Sequence, residues 1–240
     1  MPTEILKPFG PSILKVNIPD EIISDMNIDG SDTHSDKKEN NFNINLTLGI
    51  KRYLSISELK GLMFLNLAVS AGGSMILVNT IILVRSSLEL SEIAFSITML
   101  IFGAGCIFAA IIIPYLSKEM TASRIMLAGS NLLSLVFVTL AFWLILFDFI
   151  WFVLLAAWFI SGFGYTLLLT PMGRVIRKVS SVDEFSQVYS AQFSLSHLCW
   201  LFMYPLSGYL MTISGGSFTL FTLALLMACS NVFAAWYFRS

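Results

Sequence analysis

Six apolar runs, each long enough to cross a bilayer, fill the chain from Gly61 to Phe238. They are Gly61–Val84, Ile93–Leu116, Ile125–Leu146, Phe149–Thr170, Phe185–Ile213 and Gly216–Phe238. A spanning helix needs roughly 20 mostly apolar residues to cross about 30 Å of hydrocarbon. A soluble core helix seldom reaches that length while staying apolar all round. Hydrocarbon offers no water to backbone N–H and C=O groups, so each run must satisfy its own as a helix. The expected fold class is all-α: a polytopic membrane protein with six transmembrane helices over 55–240, behind a partly disordered cytoplasmic tail over 1–54.

Hydrophobic residues make up 56 % of the chain and charged ones 12 %, against about 45–50 % and 25 % in soluble domains. The charge is concentrated before residue 61, which leaves the apolar runs nearly bare. A net charge of −1 carries no basic face for nucleic acid, and none is expected as a partner. Cys106, Cys199 and Cys229 each lie inside an apolar run, without metal-ligand spacing, and read as small reduced hydrophobes. No cofactor and no metal ligand set is expected. No signal peptide is legible, so the first span is expected to act as its own insertion signal.

Basic residues collect at one side. Lys51, Arg52 and Lys60 precede the first run; Lys118 and Arg124 lie between the second and third; Arg174, Arg177 and Lys178 lie between the fourth and fifth; Arg239 follows the sixth. The other side has Arg85, beside Glu89 and Glu92, then Asp148 and the Ser-Gly-Gly-Ser stretch at 214–217. The positive-inside rule then puts both termini in the cytoplasm.

Residues 17–50 are rich in Asp, Ser, Asn and Lys and hold no apolar period, which reads as a solvated linker. The acids between Asp25 and Asp36 do not follow calcium-loop spacing. Leu46, Leu48, Ile50, Tyr53 and Leu54 suggest a short interfacial helix, with Lys51 and Arg52 at headgroup level. Ser55-Ile-Ser-Glu58 and Ser181-Val-Asp-Glu184 each have the form of a helix-starting capping box.

Polar side chains inside a membrane face other helices or a wet cavity. On the fifth run Gln187, Ser190, Ser194, His197, Leu201, Tyr204 and Gly208 recur at steps of three and four, within an arc of about 100°. His197 lies about 18 Å above the start of that helix, near the midplane, and its charge is switchable near neutral pH. It reads either as a pathway or gate residue or as a packed neutral imidazole. Asn66, Ser70 and Asn79 on the first run, and Asn131 on the third, are the other candidates for a solute path. No run holds a buried Asp or Glu, which argues against a carboxylate proton relay within these spans.

Several stretches together resemble the major facilitator superfamily, and more narrowly the carboxy-terminal six helices of its twelve-helix bacterial efflux and permease members. They are Gly49-Ile-Lys-Arg-Tyr-Leu, Val78-Asn-Thr-Ile-Ile-Leu-Val-Arg85, Phe102-Gly-Ala-Gly105, Thr170-Pro-Met-Gly-Arg-Val-Ile-Arg177, Ala191-Gln-Phe-Ser-Leu-Ser-His-Leu-Cys-Trp200 and Tyr204-Pro-Leu-Ser-Gly208. The family's charged loop between its second and third helices is altered here. Lys118 and Arg124 are kept, the acid is displaced to Glu119, and the glycines are gone. These three are the candidates for a loop charge latch.

The resemblance implies a secondary active transporter half in the bacterial inner membrane. It would move a small solute, driven by an ion gradient for which a proton is one candidate, by alternating access against a second six-helix half. That half would be a separate chain or a second copy, and residues 1–54 would correspond to the central loop of a longer transporter. The alternative is a truncated, non-transporting remnant or membrane scaffold. An intramembrane enzyme is not expected: neither Ser161-Gly162 nor Ser207-Gly208 has the glycine two places earlier that a rhomboid-type nucleophile requires.

Overall fold

The computed structural model describes residues 49–147, 150–182 and 184–239, and those residues form a helical bundle with no strand among them. The expected disordered tail, apart from its last residues, and Asp148 lie outside the described residues. Six helices are numbered in chain order: α1 Ser57–Ser74, α2 Glu92–Glu119, α3 Ala122–Leu146, α4 Trp151–Leu169, α5 Met172–Val179 and α6 Phe185–Arg239. α1 continues without a break into two π-helical stretches, Met75–Asn79 and Ile82–Ser87. α5 has 8 residues, about 12 Å of helix, too short to span.

Five of the helical segments are long and apolar enough to cross a membrane. The longest, α6, is two helices joined at Gly215, whose φ of 77° and ψ of 178° leave the helical region. That positive φ suits glycine, which lacks a Cβ. Side-chain contacts show that the two limbs run in opposite directions along α1. In the first limb, Gln192, Trp200 and Ser207 meet Asn66, Gly73 and Asn79 in ascending order. In the second, Met227, Ala234 and Tyr237 meet Gly72, Gly61 and Ser57 in descending order. Six spanning segments therefore stand where six apolar runs were expected, the Ser-Gly-Gly-Ser stretch forming the reversal.

α1 is the axis of the bundle. Leu59, Leu62, Leu65, Ala68, Ala71, Met75 and Ile76 are all buried, enclosed by both limbs of α6 and by α3. α2 lies at the edge and packs against α4, and there the two backbones touch. A Cβ on Gly105 would strike the Phe159 carbonyl, and one on Gly162 would strike the Phe102 carbonyl. Close approach through small residues supplies the dispersion that lipid, being equally apolar, cannot drive by exclusion.

Hydrogen bonds lock the helices across their apolar seams. The Trp158 indole donates to Thr80 Oγ1 at 2.9 Å, joining α4 to the rod of α1. Trp151 donates to Thr98 Oγ1 at 3.0 Å, joining α4 to α2. Ser134 donates to the Ala224 carbonyl at 2.9 Å, joining α3 to the second limb of α6.

The helix starts differ in part from expectation. Ser91 caps α2 by accepting from Ala94 N at 3.3 Å, with Glu92 in the first turn. The expected box at Ser55 does not form. Residues 49–53 make a short helical turn, whose end takes the Ser55 hydroxyl as a donor to the Arg52 carbonyl at 2.7 Å. Ile56 then becomes the N-cap residue of α1, with no side-chain cap bond. At Ser181 the forward half of the box is present, Glu184 N donating to Ser181 Oγ at 3.4 Å. The Glu184 carboxylate turns to Arg52 instead, at 3.3 Å. Arg85 approaches Glu92 at 3.9 Å in an exposed pair, of the kind that contributes little.

Candidate functional site

The first limb of α6 has two polar sides, one turned into the bundle and one away from it. The inward side carries Gln192, buried among Tyr53, Asn66 and Met172. Its Nε2 donates to Asn66 Oδ1 at 2.9 Å and lies 2.9 Å from Met172 Sδ. Its Oε1 accepts from the Tyr53 hydroxyl. One amide thus ties together the turn before α1, α1 itself, the start of α5 and α6. Burial, and secondarily the neighbouring Cys199 thiol, push the Tyr53 hydroxyl well above its ordinary pKa, so it stays a neutral donor.

Higher on the same side, Asn79 Nδ2 donates to Ser207 Oγ at 2.7 Å and to the Ser207 carbonyl at 3.2 Å. Asn79 closes the first π-helical stretch of α1. A π turn inserts a residue and rotates the helix beyond it, a common device for re-aiming a side chain. Ser70 is buried and donates to the Leu67 carbonyl of its own helix at 3.0 Å. Asn66, Ser70 and Asn79 therefore lie inside the bundle.

The outward side is the stripe expected from the sequence. Ser190 and His197 are exposed, as is Tyr204 at 38 %, while Gln187 and Ser194 are half-buried. Ser190 donates to the Ser186 carbonyl at 2.9 Å. His197 Nδ1 lies 2.8 Å from the Phe193 carbonyl. The same Nδ1 lies 3.4 Å from Ser196 Oγ, and the tautomer of the ring sets which of the two contacts it donates to. The His197 ring lies 4.0 Å from that of Phe193, and Tyr204 lies 4.9 Å from Trp200.

The remaining candidates do not join this stripe. Asn131 of α3 is exposed and accepts from Asn231 on the second limb of α6. Lys118, Glu119 and Arg124 are all exposed at the α2–α3 turn, and no ion pair links them among the described residues. Lys118 instead sits 5.7 Å from the Tyr115 ring.

Gln192 is the residue that periodicity alone does not single out. It lies about 140° around the helix from His197. A signal for it exists in the packing: Val188, Ala191, Gln192, Met203, Ser207 and Met211 form the buried row of the first limb, and Gln192 is its one amide.

Comparison with curated proteins and with solved structures returns no match. The model of the Major Facilitator Superfamily matches residues 62–240, which takes in all six spanning segments but for the first turn of α1. With three-quarters of its length matched by that model, the chain belongs to the Major Facilitator Superfamily.

Proposed function

We propose that this chain is one half of a secondary active transporter that moves a small solute by alternating access against a second six-helix half. The observation that carries this reading is the outward polar side of the α6 first limb. Ser190, His197 and Tyr204 are exposed on a segment long and apolar enough to cross a membrane, where polar groups demand protein or water as neighbours. A second half laid against this side would enclose a channel with Gln187, Ser190, Ser194, His197 and Tyr204 along one wall. The inward residues Asn66, Ser70 and Asn79 would then hold the wall and its backbone in register.

The exposed imidazole of His197 suits either a solute contact or a coupling proton. The positive-inside pattern supports cytoplasmic termini. Lys118, Glu119 and Arg124 would serve as a latch across the junction with the second half, since no ion pair links them among the described residues.

Reconstitution tests the reading. The chain is placed in vesicles alone and together with a six-helix half encoded directly upstream, and proton flux is followed while a panel of small solutes is added. Solute-dependent flux in the paired vesicles alone supports the proposal. Equal, zero flux in both favours the remnant or scaffold.

A further inference from the structure

Arg174 and Lys178 stand one turn apart on α5 and open into a cavity of about 470 Å3 at the basic end of the bundle. The first turn of α1, the α2–α3 turn and α5 form its walls. Lys118 contributes a third cation, and Thr121 and Ser123 contribute hydroxyls. Glu58 and Glu119 also line it. Glu58 lies in the first turn of α1, where the helix dipole offsets its charge. The side chains of Arg174 and Lys178 have no hydrogen bond and no ion pair among the described residues.

Two further features ask for a negative group here. α3 begins at this cavity with Thr121 as its N-cap residue, yet the Thr121 side chain makes no cap bond and the first turn holds no acid. Arg124 stands there instead. The free N–H groups and positive pole of α3 thus add to the side-chain cations, and Lys118, Arg174 and Lys178 outnumber Glu58 and Glu119 in the lining. α5 also has the form of an interfacial helix. Val175 and Ile176 are buried in the bundle, while Arg174, Arg177 and Lys178 face outward. A basic amphipathic segment of this kind lies at headgroup depth.

We propose that this cavity seats the phosphate group of an anionic phospholipid. Arg174, Lys178 and Lys118 would hold the phosphate oxygens, with the α3 N-terminus behind them. The surface of α2 next to the cavity favours a lipid over a soluble anion. Along one ridge below Lys118, Tyr115 is 66 % and Ile111 60 % exposed, an open apolar track that an acyl chain would cover and a free ion would not. The inference needs only that the chain spans a bilayer, and does not depend on its being a transporter half.

The test uses the full chain, purified in detergent, with lipid retention read by native mass spectrometry. Phosphatidylglycerol, phosphatidylcholine and inorganic phosphate are added separately to the parent chain, to the R174Q/K178Q double variant and to K51Q. Lys51 is an exposed cation of the same end that does not line the cavity. At about 1 kcal/mol per basic residue at a membrane surface, the double variant should hold phosphatidylglycerol about thirtyfold more weakly. K51Q should match the parent. Lys118→Gln, tested alone, should weaken retention about fivefold. Equal retention of phosphatidylglycerol and phosphatidylcholine overturns the proposal, as does full retention by the double variant. Binding of inorganic phosphate that blocks phosphatidylglycerol at equal concentration overturns the lipid assignment in favour of a soluble anion.

Discussion

The side-chain amide of Gln192 on α6 donates to Asn66 on α1 at 2.9 Å, and this bond closes the basic end of the bundle around its central helix. Through the same amide, Tyr53 is held from the segment that enters α1. The side of α6 that carries the candidate pathway residues is thereby kept facing outward, because the opposite side is fastened to the axis.

Gln192→Leu should leave the Tyr53 hydroxyl and the Asn66 amide buried without their shared partner. Each such orphan costs about 1–3 kcal/mol, so the unfolding temperature in detergent should fall by several degrees. Gln187→Leu, five residues earlier and only half-buried, should leave it unchanged. Equal shifts for the two variants would deny the network its role.

Asn79 and Ser207 should be coupled. A double-mutant cycle with Asn79→Ala and Ser207→Ala should return an interaction of about 0.6 kcal/mol, and no more than about 1.7, in line with other hydrogen bonds between membrane helices. Strict additivity would mean that the π turn aims Asn79 at a contact without energetic weight.

The α2–α4 seam should tolerate nothing larger than hydrogen at its glycines. Gly162→Ala places a methyl against the Phe102 carbonyl, and overpacking of this sort costs about 1–3 kcal/mol. Gly103→Ala, on the α2 side, meets open space and should be neutral. Faster tryptic cleavage at Lys118 in the first variant, and not the second, is the expected readout.

Tyr53 links stability to alkaline pH. Its pKa is raised above the ordinary value of 10.0 by burial in the folded chain. The contribution is complete below 10.0, where the hydroxyl is neutral in both states, and is lost as pH rises towards the folded value, because the unfolded chain gives up the proton first. Unfolding temperature should therefore drop more steeply above pH 10.0 in the parent than in Tyr53→Phe. Parallel curves would contradict the burial of a neutral hydroxyl.

The membrane fold was legible because hydrocarbon imposes a length: six runs of spanning length allow few alternatives, and the reversal falls at Gly215, inside the Ser-Gly-Gly-Ser stretch. Direction around each helix was harder to read. A spanning helix is apolar on every side, so Gln187 and Gln192 look alike in the sequence, and only packing against α1 distinguishes the buried amide. The polar stripe through Ser190 and His197 was legible as a stripe, since its period is local. The two π stretches leave no composition signal, and with them went the link from Asn79 to Ser207. The capping box at Ser55 failed for a local reason: the hydroxyl is drawn to the Arg52 carbonyl by the turn that precedes it.

Water access to the outward side of α6 tests the proposed pathway wall most directly. With Cys106, Cys199 and Cys229 replaced by alanine, single cysteines are placed at Ser190, Ser194, His197 and Phe202, and membranes containing the paired halves are treated with a membrane-impermeant thiol reagent. Phe202 is 64 % exposed but apolar and off the stripe. Cysteines at 190, 194 and 197 should react, and that at 202 should not. A stripe that reacts no faster than position 202 would place it against lipid or sealed protein, and would contradict its role as the wall of a solute path.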